Sequence, residues 1–401
     1  MKVPFYRPSI SDREIEEVVT CLRSGWLTTG PMTKEFEAAF ARYVGAKHAV
    51  ALNSCTAALH LALEAVGLRR GELVLVPTMT FAATAEVVRY FDAIPVFVDC
   101  DERTQCIDVA AARRTLERLA AGEPVAGVPR EHGPVRAIIP VHYAGQMADV
   151  DAVRDLAREH RLAVIEDAAH TLPAFFRSHA DASWRAVGTT GDITCFSFYA
   201  NKCITTGEGG MAVTDDDALA DRMRLMSLHG MSKDAWKRFS SSGSWYYEVV
   251  APGFKYNLTD IASAIGKVQL ARADELWQQR QRVVDAYARA FEGIPGIELP
   301  RALPDRRHSW HLFAIRLDLA VWRDGRDAFI EGLKHHGIGA SVHWLPLHMQ
   351  PYYRDGFGLA PEDFPVAAGL WPRLVSLPLF PDMTADDVHA VAAAVRALRQ
   401  G

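Results

Sequence analysis

A lysine between an aromatic run and a glycine-rich turn is the residue best placed to do chemistry. Lys202 follows Ser-Phe-Tyr-Ala-Asn at 197–201 and precedes Thr-Thr-Gly-Glu-Gly-Gly at 205–210. An amine in such surroundings is partly desolvated, which lowers its pKa and makes it nucleophilic. The pattern therefore indicates an amine able to form a Schiff base, although an ordinary surface lysine after a strand fits Lys202 taken in isolation.

An acidic residue ends a buried apolar run elsewhere in the chain. Asp167 closes the run 162–167, which is typical of a strand buried on both faces, and ligands of open parallel sheets gather at the carboxyl ends of strands. A carboxylate there can keep a pyridine nitrogen protonated and so make the ring an electron sink. A helix cap is the alternative for Asp167. His170, three residues on, could donate to a phenolic oxygen or simply be a core histidine.

A polar segment before a helix forms the third feature. Asn53, Ser54, Cys55 and Thr56 precede a stretch of good helix formers with an apolar stripe. Free N–H groups and the positive end of the helix dipole suit a phosphate there, although an ordinary cap without a ligand fits as well. No Walker lysine motif or complete dinucleotide fingerprint accompanies it. A lysine, a carboxylate and an anion pocket together indicate pyridoxal phosphate.

The elements that must position these groups alternate between apolar strands and amphipathic helices, which is the pattern of a mainly parallel sheet covered by helices. Two surface segments interrupt it, at 119–133 and 177–188, and the serine-rich stretch 240–244 is predicted to be a mobile loop. The predicted strands are Leu73–Val76, Pro95–Asp99, Ala137–Val141, Leu162–Asp167 and Cys195–Tyr199.

The pattern changes after Asn257, where a long helical run precedes a strand near 310–315 and a terminal helix near Thr384. We therefore expect an α/β protein in two parts. Residues 1–255 would form a large domain that binds the cofactor on a mainly parallel sheet, and residues 256–401 would form a smaller α+β domain.

Composition excludes several other classes. The 401 residues carry a formal net charge of −5 without long runs of one sign, which gives no case for binding nucleic acid. The six cysteines lack the short spacings of zinc or redox motifs, and the histidines of the last third form no metal motif. No run approaches membrane-spanning length and no apolar signal core opens the chain, so we expect a cytoplasmic protein without a membrane or metal partner.

Taken together, the motifs resemble the DegT/DnrJ/StrS group of nucleotide-sugar aminotransferases over nearly the whole chain. The resemblance implies the type I fold of pyridoxal-phosphate-dependent transferases, and a homodimer with shared active sites. It is carried by the segments 25–31, 140–145, 166–170, 197–202 and 253–260.

The same resemblance assigns roles position by position. Lys202 would bind the cofactor and shuttle the proton, and Asp167 would pair with the pyridine nitrogen. His170 would bond the phenolic oxygen, and Phe81 would stack on the ring. The phosphate would be held by Cys55, Thr56 and Ser197, and by Asn257 of the neighbouring subunit; Thr29, Lys255 and His343 are candidates near the sugar nucleotide, although each could equally be structural.

The reaction implied is amine transfer from L-glutamate to a keto group of a nucleotide-diphosphate-linked sugar. The segments 25–31 and 253–260 most resemble enzymes that aminate carbon 4. Two alternatives stay open. One is a sugar dehydratase using the same cofactor, although the family's dehydratases replace the lysine by histidine. The other is a ligand-sensing or structural protein with an inactive site on the same fold.

Overall fold

A seven-stranded sheet organises the larger part of the chain in the computed structural model, which describes residues 2–231 and 247–399. The spatial order is β1-β9-β8-β5-β4-β2-β3, and only β9 runs antiparallel to its neighbours. The parallel strands are apolar on both faces because helices cover both sides. The strands are β1 (His48–Leu52), β2 (Leu73–Pro77), β3 (Ile94–Val98), β4 (Val135–Ile138), β5 (Ala163–Asp167), β8 (Ile193–Ser197) and β9 (Gly210–Thr214).

Seven helices within residues 2–231 accompany this sheet. Helix α3 is the most deeply buried of them and lies against the sheet, with Leu59, Leu61 and Leu63 fully covered. It begins at a serine cap, as the sequence predicts: Ser54 Oγ accepts from the N–H of Ala57 at 3.0 Å. The helices are α1 (Asp12–Ser24), α2 (Pro31–Val44), α3 (Cys55–Ala65), α4 (Ala83–Arg89), α5 (Val109–Ala120), α6 (Val150–His160) and α7 (Asp217–Ser227).

A smaller three-stranded sheet, in the order β10-β12-β13, belongs to the carboxy-terminal part. Helices α9, α10 and α13 pack on it around a separate apolar core that includes Tyr287 and Phe313. The strands of this sheet are β10 (Ile297–Glu298), β12 (Phe313–Leu317) and β13 (Leu374–Leu377). Strand β11 (Arg306–Arg307) belongs to another small sheet, where it pairs with β6 (Phe175–Arg177). The helices are α8 (Asp260–Ala271), α9 (Ala273–Ala290), α10 (Gly325–His335), α11 (Pro351–Phe357), α12 (Pro365–Leu370) and α13 (Ala385–Ala397).

The α/β class and the mainly parallel sheet confirm the prediction, and the five predicted strands recur with shifts of a few residues at their ends. The helical run after Asn257 is two helices instead of one, separated at Arg272, whose guanidinium makes a buried 2.7 Å ion pair with Glu14 of α1. The segment predicted as a surface loop at 177–188 instead contains strand pairing between β6 (Phe175–Arg177) and β7 (Trp184–Ala186).

Several sequence predictions remain untested by this fold. Val3 pairs with Ile338 and packs in the core of the smaller sheet, so the first residues accompany the carboxy-terminal part, and the boundary at 255/256 stays a prediction. The stretch 240–244 lies outside the described residues. Among the helices described, none combines the length and apolar character needed to cross a bilayer. All six cysteines are buried free thiols.

Candidate active site

The carboxyl end of β5 places Asp167 at the floor of a cavity of about 400 Å³. Its carboxylate accepts a 2.8 Å bond from the Thr84 hydroxyl and a 3.1 Å bond from the N–H of Ala169. The Thr80 hydroxyl lies 2.7 Å from that of Thr84, whose hydrogen is already engaged, so Thr80 is the donor of this pair. Burial raises the pKa of Asp167, and the hydroxyl, the amide and the charge of Lys202 oppose that rise. The carboxylate is thus fixed in orientation.

Its neighbour Glu166 points to the opposite face of the same strand, as strand alternation requires. There it accepts bonds from Thr190 at 2.6 Å and Thr194 at 3.0 Å, and His142 Nε2 lies 3.4 Å away. Burial raises the pKa of Glu166, but these partners outweigh it and lower the pKa overall. Glu166 therefore has its charge compensated within the fold, and Asp167 is the carboxylate of this strand that faces the cavity.

Lys202 lies on the turn after β8 and borders the same cavity. Burial lowers the pKa of its amine, although Asp167, Cys55 and Cys203 oppose the shift. Among the described residues, no acceptor takes a hydrogen bond from its Nζ, whereas its carbonyl is held by Arg280 at 3.4 Å. The Lys202 amine is half-buried, has no hydrogen-bond acceptor among the described residues and sits on an anchored backbone, so it is available to a ligand.

The first turn of α3 contributes N–H donors to the cavity. The N–H groups of Cys55 and Thr56 have no acceptor among the described residues, because the Ser54 cap takes only that of Ala57. The Cys55 thiol lies 3.6 Å from the carbonyl of Cys195, and burial raises its pKa well above the usual value, so it stays neutral. Gly210 packs so closely here that a Cβ would collide with the backbone of Ser54.

Ser197 adds a hydroxyl at the end of β8. Its Oγ accepts a 3.3 Å bond from the N–H of Tyr199, which leaves the hydroxyl hydrogen free for a ligand. With the first turn of α3, the sequence-predicted phosphate residues Cys55, Thr56 and Ser197 therefore all border one cavity. Together they present N–H and O–H groups, which suit an anion.

Rings form the remaining wall. His170 is buried, and its Nδ1 accepts a 3.2 Å bond from the N–H of Ala144, so the proton of the neutral ring sits on Nε2. Burial lowers the pKa of His170 well below its usual value. Phe81 is 59% exposed although it lines the cavity, and its ring centroid lies 6.4 Å from that of Trp344. Such an exposed aromatic face is suited to covering a flat ring.

His343 also borders the cavity, and its Nδ1 is 2.8 Å from the hydroxyl of Ser376. Burial and the charge of Lys202 lower its pKa to about 4. Among the histidines left unassigned by the sequence, His308, His311 and His348 are buried, whereas His335 and His336 are exposed.

Three predicted residues do not line this cavity. Lys255 Nζ donates to Asn257 Oδ1 at 2.6 Å, and Asn257 Nδ2 donates to Thr29 Oγ1 at 2.6 Å. We call these three residues the outer cluster. The Thr29 hydroxyl in turn bonds the carbonyl of Leu258. These hydrogen bonds therefore join the segments 25–31 and 253–260. The residues of the outer cluster do not line the cavity of the same chain.

Asp260 connects the segment 253–260 to the segment 25–31 and to the start of α2. It is buried at the amino terminus of α2, where its Oδ1 accepts from the N–H groups of Gly30 at 2.7 Å and Thr33 at 3.0 Å. The same oxygen accepts the Thr33 hydroxyl at 2.7 Å, and Oδ2 accepts the N–H of Met32 at 3.1 Å. A carboxylate at this helix end satisfies donors that the helix leaves free.

Sequence reasoning missed Thr84, Thr80, His311 and Trp344 as parts of the site. Thr84 is hidden inside an apolar helix start, and its hydroxyl signals nothing until the helix is placed beside β5. His311 lies in a predicted strand, and only its partnerless buried nitrogen distinguishes it. Trp344 is brought to the cavity by a segment without helix or strand.

The donor set fits pyridoxal phosphate. The partnerless Lys202 amine suits its aldehyde, Asp167 its pyridine nitrogen and His170 its phenolic oxygen. The free N–H groups of Cys55 and Thr56 suit its phosphate. Within residues 2–231 and 247–399, no cluster of three histidine, cysteine or acidic side chains could hold a metal ion.

Fold and site thus define a pyridoxal-phosphate-dependent aminotransferase of the type I fold, as the structural neighbours are. The chain belongs to the DegT/DnrJ/EryC1/StrS aminotransferase family, whose pattern it matches over residues 8–396. The predicted family and cofactor class are therefore confirmed.

The similarity to known proteins covers the whole chain or nearly all of it. The spore coat polysaccharide biosynthesis protein SpsC of Bacillus subtilis is 45% identical over 400 residues, which is 100% of this chain and 97% of the relative. The Streptococcus pneumoniae protein Spr1654, described as a sugar aminotransferase and solved in PLP and PMP forms, has a TM-score of 0.87 at 30% identity, covering 99% of this chain and 98% of its own. Helicobacter pylori PseC, an aminotransferase of pseudoaminic acid biosynthesis, has a TM-score of 0.87 at 27% identity and full coverage of both chains.

Proposed function

We propose that the protein transfers an amino group from L-glutamate to the keto group at carbon 4 of a nucleotide-diphosphate-linked sugar. The single observation that carries the proposal is that the half-buried amine of Lys202, which has no hydrogen-bond acceptor among the described residues, shares one cavity with the fixed carboxylate of Asp167. The relatives that act in polysaccharide and pseudoaminic acid biosynthesis support a sugar as the amine acceptor.

The chain's own residues divide the work. When bound, pyridoxal phosphate supplies an electron sink and a carrier for the amino group. Lys202, with its lowered pKa, accepts the proton from the α-carbon of the amino acid and later returns a proton to the sugar carbon. Asp167 holds the pyridine nitrogen in its protonated form. Glutamate leaves as 2-oxoglutarate, and the keto sugar gains the amine.

Carbon 4 rests on the resemblance of the segments 25–31 and 253–260 to enzymes that aminate that position. The structure joins these segments through the outer cluster and Asp260, which supports a common role for them. We place the outer cluster at the cavity of a second subunit, where Asn257 would reach the phosphate, and Thr29 and Lys255 the sugar nucleotide. His343 would contact the sugar nucleotide from within its own cavity. The proposal therefore includes a homodimer whose two subunits share their active sites. We also propose that this dimer acts in the cytoplasm.

A screen of keto sugar nucleotides tests the proposal. Each sugar is incubated with glutamate or glutamine, and product mass and the aminated carbon are read by mass spectrometry and NMR. We expect a 4-amino sugar with glutamate as donor, and none with Lys202→Ala. Water loss without amine gain would instead favour the dehydratase. Cofactor binding with no product from any sugar would favour the ligand-sensing protein.

A further inference from the structure

A second, much smaller cavity adjoins the main one. It measures about 10 Å³, close to the least space that one water needs. Asn201 and His311 line both cavities, so they form the partition between them. The other walls of the small cavity come from Phe5, Tyr6, Leu312, Leu377 and Leu379.

Two polar atoms of the partition are buried without a partner. Asn201 Oδ1 and His311 Nδ1 are closed off from solvent, and neither has a hydrogen bond within the described chain. Leaving such atoms unpaired costs on the order of 1–3 kcal/mol each. The buried carboxylates of Asp167 and Glu166, by contrast, each accept two hydrogen bonds. We therefore expect the two unpaired atoms to have a partner that is not part of the described chain.

The third polar group of the small cavity is the hydroxyl of Tyr6. Burial raises the pKa of Tyr6 to about 12, against the charge of Arg280 and a hydrogen bond that Arg280 donates to it, so the hydroxyl keeps its own proton and can donate it. The wall therefore offers two acceptors, Asn201 Oδ1 and His311 Nδ1, and one donor. One water has two hydrogens to donate and lone pairs to accept, which matches this set.

A water at this position has a consequence for the main cavity. If it donates to Nδ1 of the neutral His311 ring, the ring proton lies on Nε2. His170 has the same tautomer, because its Nδ1 is taken by the N–H of Ala144. The two ring centroids are 4.2 Å apart. Two imidazole N–H donors then stand side by side at one wall.

We propose that one buried water bridges Asn201, His311 and Tyr6, and that it fixes His311 with Nε2–H as a donor toward the main cavity. The second part of this inference rests on the proposed function: the Nε2–H group of His311 donates to the carboxylate of the amino-acid substrate. A carboxylate needs N–H donors, and no arginine is found among the described residues that line the main cavity. His311 is thereby a substrate-binding residue whose tautomer is fixed by a buried water.

The water and the tautomer are tested first, without reference to turnover. A high-resolution crystal structure should show a water within hydrogen-bond distance of Asn201 Oδ1, His311 Nδ1 and Tyr6 Oη. In protein labelled with 15N at histidine, the His311 ring should show a protonated Nε2 and a bare Nδ1. In Tyr6→Phe, which removes one of the three partners, the water should be lost or poorly ordered.

The donor role is tested by separate kinetics for the two substrates. His311→Phe should keep the bound cofactor and lower kcat/KM for glutamate by roughly 10–100-fold, the loss of a bond to a charged group. It should change kcat/KM for the keto sugar less than threefold. His311→Gln, which can still present an amide N–H, should recover part of the loss with glutamate.

An empty small cavity in the crystal, or a proton on Nδ1 of His311, would overturn the water bridge. Equal losses for both substrates in His311→Phe would overturn the carboxylate assignment. If the wild-type protein transfers no amine to any sugar, the proposed function fails instead, while the water and the tautomer are still decided by diffraction and NMR.

Discussion

The family resemblance assigns roles both to the cavity residues and to the outer cluster, yet the structure places the two sets differently. Lys202 and Asp167 converge on one buried cavity, where each has a backbone or side-chain anchor. Thr29, Lys255 and Asn257 bond one another, and Lys255 is exposed. One set lines a single cavity of the described chain, whereas the other does not line that cavity. The contrast supports an active site assembled from two copies.

The sharpest way to test this contrast is to compare the two lysines. Lys202→Ala should abolish the absorption band of the lysine-linked cofactor and lower turnover by roughly 10²–10⁴-fold or more, because the base is lost. Lys255→Ala should keep the band and raise KM for the sugar nucleotide, by roughly tenfold at most. Spectra and initial rates measure both. An unchanged band in Lys202→Ala would contradict its role as the amine that binds the cofactor.

A smaller effect is expected when only the charge of the cavity carboxylate is removed. Asp167→Asn should retain the cofactor but lower the rate of the glutamate half-reaction by roughly 100-fold, since a neutral partner no longer favours the protonated pyridine nitrogen. Thr84→Val is the matched control, because it removes one bond to the carboxylate and keeps the charge. We expect a loss of about tenfold or less from it. Stopped-flow rates near wild type in Asp167→Asn would contradict the assignment.

The outer cluster is tested by mixing subunits. Asn257→Ala should weaken cofactor binding, and mixed dimers with Lys202→Ala should regain activity because half of the sites in each mixed dimer are intact. Random mixing in equal amounts puts half of the dimers in the mixed form, so recovery should approach about a quarter of the wild-type value. Activity no higher than that of the separate variants would place Asn257 at its own subunit's site.

The smallest effect concerns stability in mild acid. His60, His343 and His348 each have a pKa lowered to about 4 by burial. The fold favours their neutral form, so their stability contribution is full above about pH 6.5 and is lost as the pH falls toward 4. Between pH 7 and 5, Tm should fall by a few degrees.

His343→Gln should flatten part of this dependence, because one of the buried imidazoles no longer has to stay neutral. The ion pair of Glu14 with Arg272 cannot produce the same effect, since the bonds of Ser11 and Arg272 lower the pKa of Glu14 to about 2 against burial, and this group acts only below about pH 4.5. Calorimetry at several pH values measures both. A Tm that rises on acidification would exclude the buried histidines as the cause.

Local patterns predicted the parallel sheet and the capped start of α3, because apolar runs and caps depend on neighbouring residues. They could not predict Thr84, whose hydroxyl reaches Asp167 only after α4 packs beside β5. They also could not separate His311 from exposed His335, because burial depends on the packing of distant segments. Nor could they predict that Arg272, which lies between α8 and α9, bonds Glu14 more than 250 residues away.

The assignments of Asn257, Thr29 and Lys255 came from the family resemblance and not from any pattern of spacing. Their hydrogen bonds show that they form one group, while the subunit that they serve stays a prediction. A single chain carries no signal for this choice, since contacts between copies leave no periodicity in the sequence.

Asp260 makes the loop before α2 and the loop before α8 one mechanical part, although it lies 227 to 230 positions along the chain from the residues that it binds. A chimera that takes only one of these loops from a relative would pair a carboxylate with a mismatched helix end. Transplanting acceptor specificity between such enzymes therefore requires both loops to be exchanged as a set.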